Sequence, residues 1–168
     1  MKKLSFLLVF LLAGLTVTQA QHVFNKGDLM FNAGIGIPNS YGFIPALNFS
    51  GEFGAIPTGD VGLVSFGGLA EFQLGQHDWV YDNEIFPRFY VGARAAWHLH
   101  VFESDEWDVY GGAGFGVAVS GKSTNYSGFT DFGPDVFVGG RWMFSEKMGL
   151  FAEIGYTGLS SVRFGITF

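Results

Sequence analysis

Three charged residues near the carboxy end, Arg141, Glu153 and Arg163, are spaced so that neighbouring stretches of chain could bring them together. Aligning the apolar residues Phe144 and Leu150 across a short turn sets Arg141 opposite Glu153 and leaves Arg163 one diagonal step away on the next stretch. Charges withdrawn from water must be paired, so the expected chemistry is a structural Arg-Glu-Arg cluster. The alternative is an ionic gate that rearranges to pass small solutes. His98 and His100 form a second group. Matching Val101 with Trp107 places Asp108 opposite His100, and two imidazoles with a carboxylate could bind zinc or copper if a third or fourth ligand joined them. Without one, the histidines are hydrogen-bonded lining, and neither a metal nor a cofactor is expected. Gly112, Gly114 and Gly116 are spaced by two with no helix after them, which makes a strand stripe rather than a phosphate-binding loop.

Such residues act only where backbone elements hold them, and here the elements read as strands. From Gly27 onward apolar residues recur at every second position, the period of a half-buried strand. Eight runs show it. Their apolar faces run from Leu29 to Ile37, Leu47 to Ala55, Val64 to Leu74, Phe89 to Val101, Val109 to Val119, Val136 to Phe144, Leu150 to Tyr156 and Val162 to Phe168. None of these alternate positions is charged. The intervening positions carry Glu52, Glu71, Arg88, Arg94, Asp108, Asp135, Arg141, Glu153 and Arg163, interspersed with glycine, serine and asparagine.

Composition decides which face points inward. Only 14% of the residues are charged, while 26 glycines and 18% aromatics are present. A water-facing surface usually needs roughly 25–35% charged residues. Glycine on a solvent face would also weaken the strands. As the lining of a narrow lumen, small residues leave room for a few long ionic side chains. The apolar face ends in aromatics, with Trp97, Trp142, Phe144 and Phe168 towards one rim and Phe89 and Tyr156 towards the other, as two membrane interfaces select. The expected fold is therefore all-β: an eight-stranded antiparallel up-and-down transmembrane β-barrel. The chain has no cysteine, which excludes disulfides, thiolate metal sites and cysteine nucleophiles. A net charge of -6 with scattered Lys and Arg offers no footprint for nucleic acid.

The first residues read as an address. Lys2 and Lys3, the apolar stretch 4–15 and Thr18-Gln19-Ala20 have the order of a secretory signal peptide. Cleavage after Ala20 would leave residues 21–168 as one barrel domain. Linkers alternate long and short, with 75–87 and 121–133 the longest. Because outer-membrane barrels keep short periplasmic turns, these long connections are expected outside the cell.

The signal peptide, the eight alternating strands and the terminal GLSSVRFGITF resemble the small eight-stranded outer-membrane barrels of Gram-negative bacteria, the OmpX-like and OmpA-transmembrane-like group within the porin family. The resemblance implies a location in the cell outer membrane, contact with outer-membrane lipid and lipopolysaccharide, and handling by the barrel-assembly machinery. Val162, Phe164, Ile166 and Phe168 match the terminal pattern which that machinery recognises. It further implies a role in envelope integrity or surface interaction through external loops, whose ligand is left open. A narrow channel is the alternative. A lipid A-modifying enzyme is a further alternative, since some barrels of this size are such enzymes, but His77 with Ser120, Ser123 and Ser127 shows no oriented spacing, and no catalytic residue is expected.

Overall fold

In a computed structural model of the protein, residues 22–78, 83–100, 104–122 and 127–168 are described; the expected leader at 1–20 lies outside them. Eight strands follow in chain order: β1 (Leu29–Pro38), β2 (Ala46–Pro57), β3 (Gly62–Asp78), β4 (Asn83–Leu99), β5 (Trp107–Ser120), β6 (Phe129–Ser145), β7 (Met148–Thr157) and β8 (Ser160–Thr167). Each pairs antiparallel with its neighbours, and β1 pairs with β8, so the sheet closes into an up-and-down barrel with no free edge. At the seam, Ile35 faces Phe164 and Ile37 faces Val162. Phe31 and Phe168 extend the seam by exchanging backbone hydrogen bonds of 2.8 and 2.9 Å.

The period-two pattern has one physical consequence throughout. Side chains alternate across the sheet, so each strand sends its apolar set to the outside and its polar set to the interior. Phe115 is 72% exposed and Val91 65%, whereas Arg141 and Arg163 are each 1% exposed. Glycines on the inner face make this possible. At Gly139, opposite Glu153, an added Cβ would stand 2.7 Å from Glu153 Cγ and 3.0 Å from the Tyr110 ring.

Two expectations about connections are corrected. Most of the stretch 75–87 is strand rather than loop, since β3 runs to Asp78 and β4 starts at Asn83, and the stretch 121–133 enters β6 from Phe129. Their polar composition imitates loop because the ends of long hairpins need no strict alternation. The barrel therefore projects hairpins at that end. At the opposite end the chain turns within 58–61 and 146–147, the first through a short 3-10 turn at Gly59–Val61.

Residues 22–28 form a feature that the alternation does not announce. They fold into the barrel end where β1 begins, held by Gly27 N donating to Gly54 O and Gly54 N donating to Asp28 O. Phe24, 2% exposed, plugs this end against Met30 and Leu63.

Candidate functional site

The interior holds two ionic networks with Tyr110 between them. The ionic groups of the first come from four strands. Arg141 from β6 donates through Nη1 to Asp108 Oδ2 on β5 at 2.8 Å and through Nη2 to Glu52 Oε1 on β2. His98 on β4 bridges the same carboxylates, with Nδ1 2.9 Å from Asp108 and Nε2 3.1 Å from Glu52. Ser65 Oγ donates to Glu52 Oε2 at 2.7 Å. The Arg141 guanidinium also lies over the rings of Tyr110, at 4.5 Å, and Phe24, at 5.8 Å.

The second network centres on Glu153. It accepts from Arg163 Nη2 at 2.5 Å, from Arg94 Nη2 at 3.2 Å and from Tyr110 Oη at 2.9 Å. Arg94 is held flat by the Phe137 ring, 3.5 Å from its guanidinium carbon. Asp135 completes the group less tightly: its oxygens lie 3.6 Å from Arg94 Nε and 3.7 Å from Arg163 Nη2. Both Asp135 oxygens, and Nε and Nη1 of Arg163, are buried without a hydrogen-bond partner among the described residues.

This arrangement corrects the expected Arg141-Glu153-Arg163 cluster. All three side chains are buried in the interior, but Glu153 pairs across the sheet with Gly139, not Arg141, and Arg163 is directly opposite Glu153 rather than diagonal to it. The cause is the tight 146–147 turn, followed by a register shift between Met143 and Ser145 that brings Trp142 opposite Leu150. A slip of two residues keeps every side chain on its face while changing its partner. Arg141 is thereby delivered to Glu52 and Asp108, and Glu153 to Arg94 and Arg163.

The histidines separate. Leu99 pairs with Val109, the register expected from matching Val101 with Trp107, yet Asp108 turns to His98 and not to His100. His100 stacks on His22 of the amino-terminal segment, with ring centroids 3.6 Å apart and planes within 8°. Burial, and then the His22 ring, push the His100 imidazole below the ordinary histidine range. Both His98 nitrogens face carboxylates, so the two imidazoles present no shared point to a metal. Among the described residues no group of three or more His, Asp or Glu side chains is arranged to hold one.

At the other mouth, the loop 39–45 folds over the opening. Gln73 donates to the Ser40 and Ile44 carbonyls, Arg88 donates to Ser40 and to Gln73 Oε1, and Gln76 N donates to Tyr41 O. Below this, Leu69, Tyr90 and Leu159 form an apolar cluster, and Glu71 accepts from Leu159 N at 2.6 Å and Ser160 Oγ at 2.7 Å. Gly158, at φ +58°, turns β7 into β8 tightly enough to permit this, since a side chain there would strike Glu71 and Tyr90. Of the residues weighed for catalysis, Ser120 accepts from Arg88 Nε at 3.3 Å and Ser127 is exposed, while Ser123 and the His77 side chain lie outside the described residues.

On the outside, Trp97, Trp142, Phe144 and Phe168 gather at the end where β1 begins, and Trp142 packs beside Trp107 at 6.3 Å. Val162, Phe164 and Ile166 share the outer face of β8 and Phe168 follows directly after it, the last three each at least 42% exposed. The partner choices of Glu52, Arg94, Asp108 and Asp135, and the plug at 22–28, escape a reading along single strands. Barrel shear brings together residues far apart in sequence, and Phe24 precedes the first alternating run. When the chain is compared with known proteins, no family model matches it and no curated protein matches its sequence.

Proposed function

We propose that this chain is a small integral outer-membrane barrel whose lumen is filled and whose exposed hairpins serve envelope integrity or surface interaction. One observation carries the reading: a closed sheet with an apolar exterior and an interior of paired charges. In water that arrangement would expose Phe115, Phe132, Val91 and Ile154 while burying arginines and carboxylates. In a bilayer it satisfies every backbone group and hydrates nothing apolar. The aromatic rim and the outward-facing Val162, Phe164, Ile166 and Phe168 support the same reading and its resemblance to the OmpX-like group, along with assembly by that group's machinery and contact with lipopolysaccharide.

The filled lumen favours an anchor over a channel. Phe24 with Leu63, Tyr110 with Phe137, and Tyr90 with Leu159 cross the interior at successive points, and salt bridges occupy the space between them. The orphan atoms of Asp135 and Arg163 favour some water inside, and with it the second reading, a narrow conducting path.

Single cysteines at Ser40, Ser127 and Ser145 test the proposal in intact cells with a membrane-impermeant maleimide. The first two label from outside and the third only after lysis. Labelling of all three, or of none, before lysis contradicts the assigned location. Steady conductance in planar bilayers would replace the anchor by the channel.

A further inference from the structure

We propose that the cavity at the mouth covered by loop 39–45 binds one neutral sugar ring of a surface glycan. The inference rests on the reading of that mouth as external and adds the ligand class. The cavity is half-open, about 190 Å³, and walled by Asn39, Tyr41, Arg88, Phe129, Asp131 and Tyr156. That is smaller than the roughly 300–1,000 Å³ of sites for drug-sized ligands, so it fits one small ring at a time.

Charge narrows the class. The Arg88 guanidinium lies 4.3 Å from the centre of the Tyr41 ring, which opposes a cation that would otherwise suit an aromatic box. Asp131, exposed on the same wall, opposes an anion. Opposite charges a short way apart suit a ligand that is uncharged and carries both donors and acceptors. The aromatic walls supply flat apolar faces for the C–H side of a ring, and the polar tips of Tyr41 and Tyr156 leave its hydroxyls a wet edge. A lipid chain would dehydrate the exposed carboxylate of Asp131.

The backbone gives an independent observation. Tyr41 has φ +60°, a left-handed conformation, the only such non-glycine among the described residues. It is held there by Gln76 N on its carbonyl, by the Arg88 guanidinium on its face, and by Phe86 and Phe129 at ring distances of 5.7 and 6.1 Å. Strained residues kept by several restraints cluster at ligand clamps. Here the restraints fix an aromatic wall over an open cavity rather than bury it in a core.

Saturation-transfer NMR on the purified protein in detergent, with the methyl glycosides of glucose, galactose and N-acetylglucosamine as probes, tests the site. The expected result is saturable millimolar binding of at least one, weakened about tenfold by Asp131→Ala and by Tyr156→Ala. Both replaced side chains are exposed, so the heat-dependent gel shift of the folded barrel remains and shows that folding is not the cause. Asp105→Ala, at the opposite end, leaves binding unchanged. No saturable signal with any glycoside, or equal binding by all variants, overturns the inference. If that occurs while Ser40 and Ser127 label from outside, the surface-barrel reading stands and only the sugar site falls.

Discussion

Replacing Glu153 by glutamine keeps the volume and one acceptor oxygen but removes the charge that Arg94 and Arg163 share. In the native interior this carboxylate receives Arg163 at 2.5 Å, Arg94 at 3.2 Å and the Tyr110 hydroxyl at 2.9 Å. After substitution the one carboxylate among the described residues still in ion-pair range of the two guanidinium groups is Asp135, at 3.6 and 3.7 Å and without a hydrogen bond to either. Breaking a buried ion pair by removing one partner typically costs about 3–5 kcal/mol, and stranding two cations favours the upper part of that range. In a water-filled lumen the same change would cost less than about 1 kcal/mol. Folding into phospholipid vesicles, titrated with urea and followed by tryptophan fluorescence, reads the difference. With a slope of about 1–3 kcal/mol/M, a loss near 4 kcal/mol lowers the midpoint by about 1.3–4 M. Double-mutant cycles then test the partners. Glu153 should couple to Arg163 by more than about 1 kcal/mol and to Arg141 by less than about 0.5 kcal/mol. A loss under about 1 kcal/mol, or stronger coupling to Arg141, would refute the reasoning.

Three further predictions concern the ends of the barrel. Phe24→Ala opens a void among Met30, Leu63 and His98 and should lower stability by about 3–5 kcal/mol in the same urea titration, whereas a loss below about 1 kcal/mol would mean the plug is not docked. The folded pKa of His100 is depressed, so its stabilising contribution is present above the unfolded value of about 6.5 and is lost as pH falls through the folded pKa. The wild-type urea midpoint should therefore drop between about pH 7.5 and 5 more than that of His100→Gln. His22, His98, Asp108 and Lys26 surround the ring and are kept in both proteins, so equal drops would remove His100 from the account. Phe168→Ser retains the backbone bonds to Phe31 and should still close the seam in vitro, yet fail to reach the outer membrane in cells; normal surface levels would contradict a side-chain assembly signal.

Much of the fold was legible because a barrel wall repeats one rule. Each strand from Leu29 to Phe168 carries its own alternation, and a long-range error such as the slip between Met143 and Ser145 leaves the faces intact. Partners were less legible. Arg141 meets Glu52 across 89 positions of sequence, a neighbour set by barrel shear and by that slip rather than by any local pattern. The plug was hidden for another reason: a single phenylalanine in the segment 22–28 has no periodicity to display, and its burial depends on an opening that exists only once the sheet has closed. The long polar stretches around residues 75–87 misled because composition does not separate a loop from the end of a hairpin beyond an apolar belt.

The most direct test of the central claim, that the apolar exterior faces lipid, uses a chain that contains no cysteine of its own. Single cysteines from Phe89 to Trp97 carry a nitroxide, and its accessibility to oxygen and to an aqueous nickel complex is measured in vesicles. The account predicts a period of two: positions 89, 91, 93, 95 and 97 are reached by oxygen and shielded from nickel, while 90, 92, 94 and 96 are reached by neither. Free access of nickel to the odd positions would place that face in water and contradict the membrane barrel.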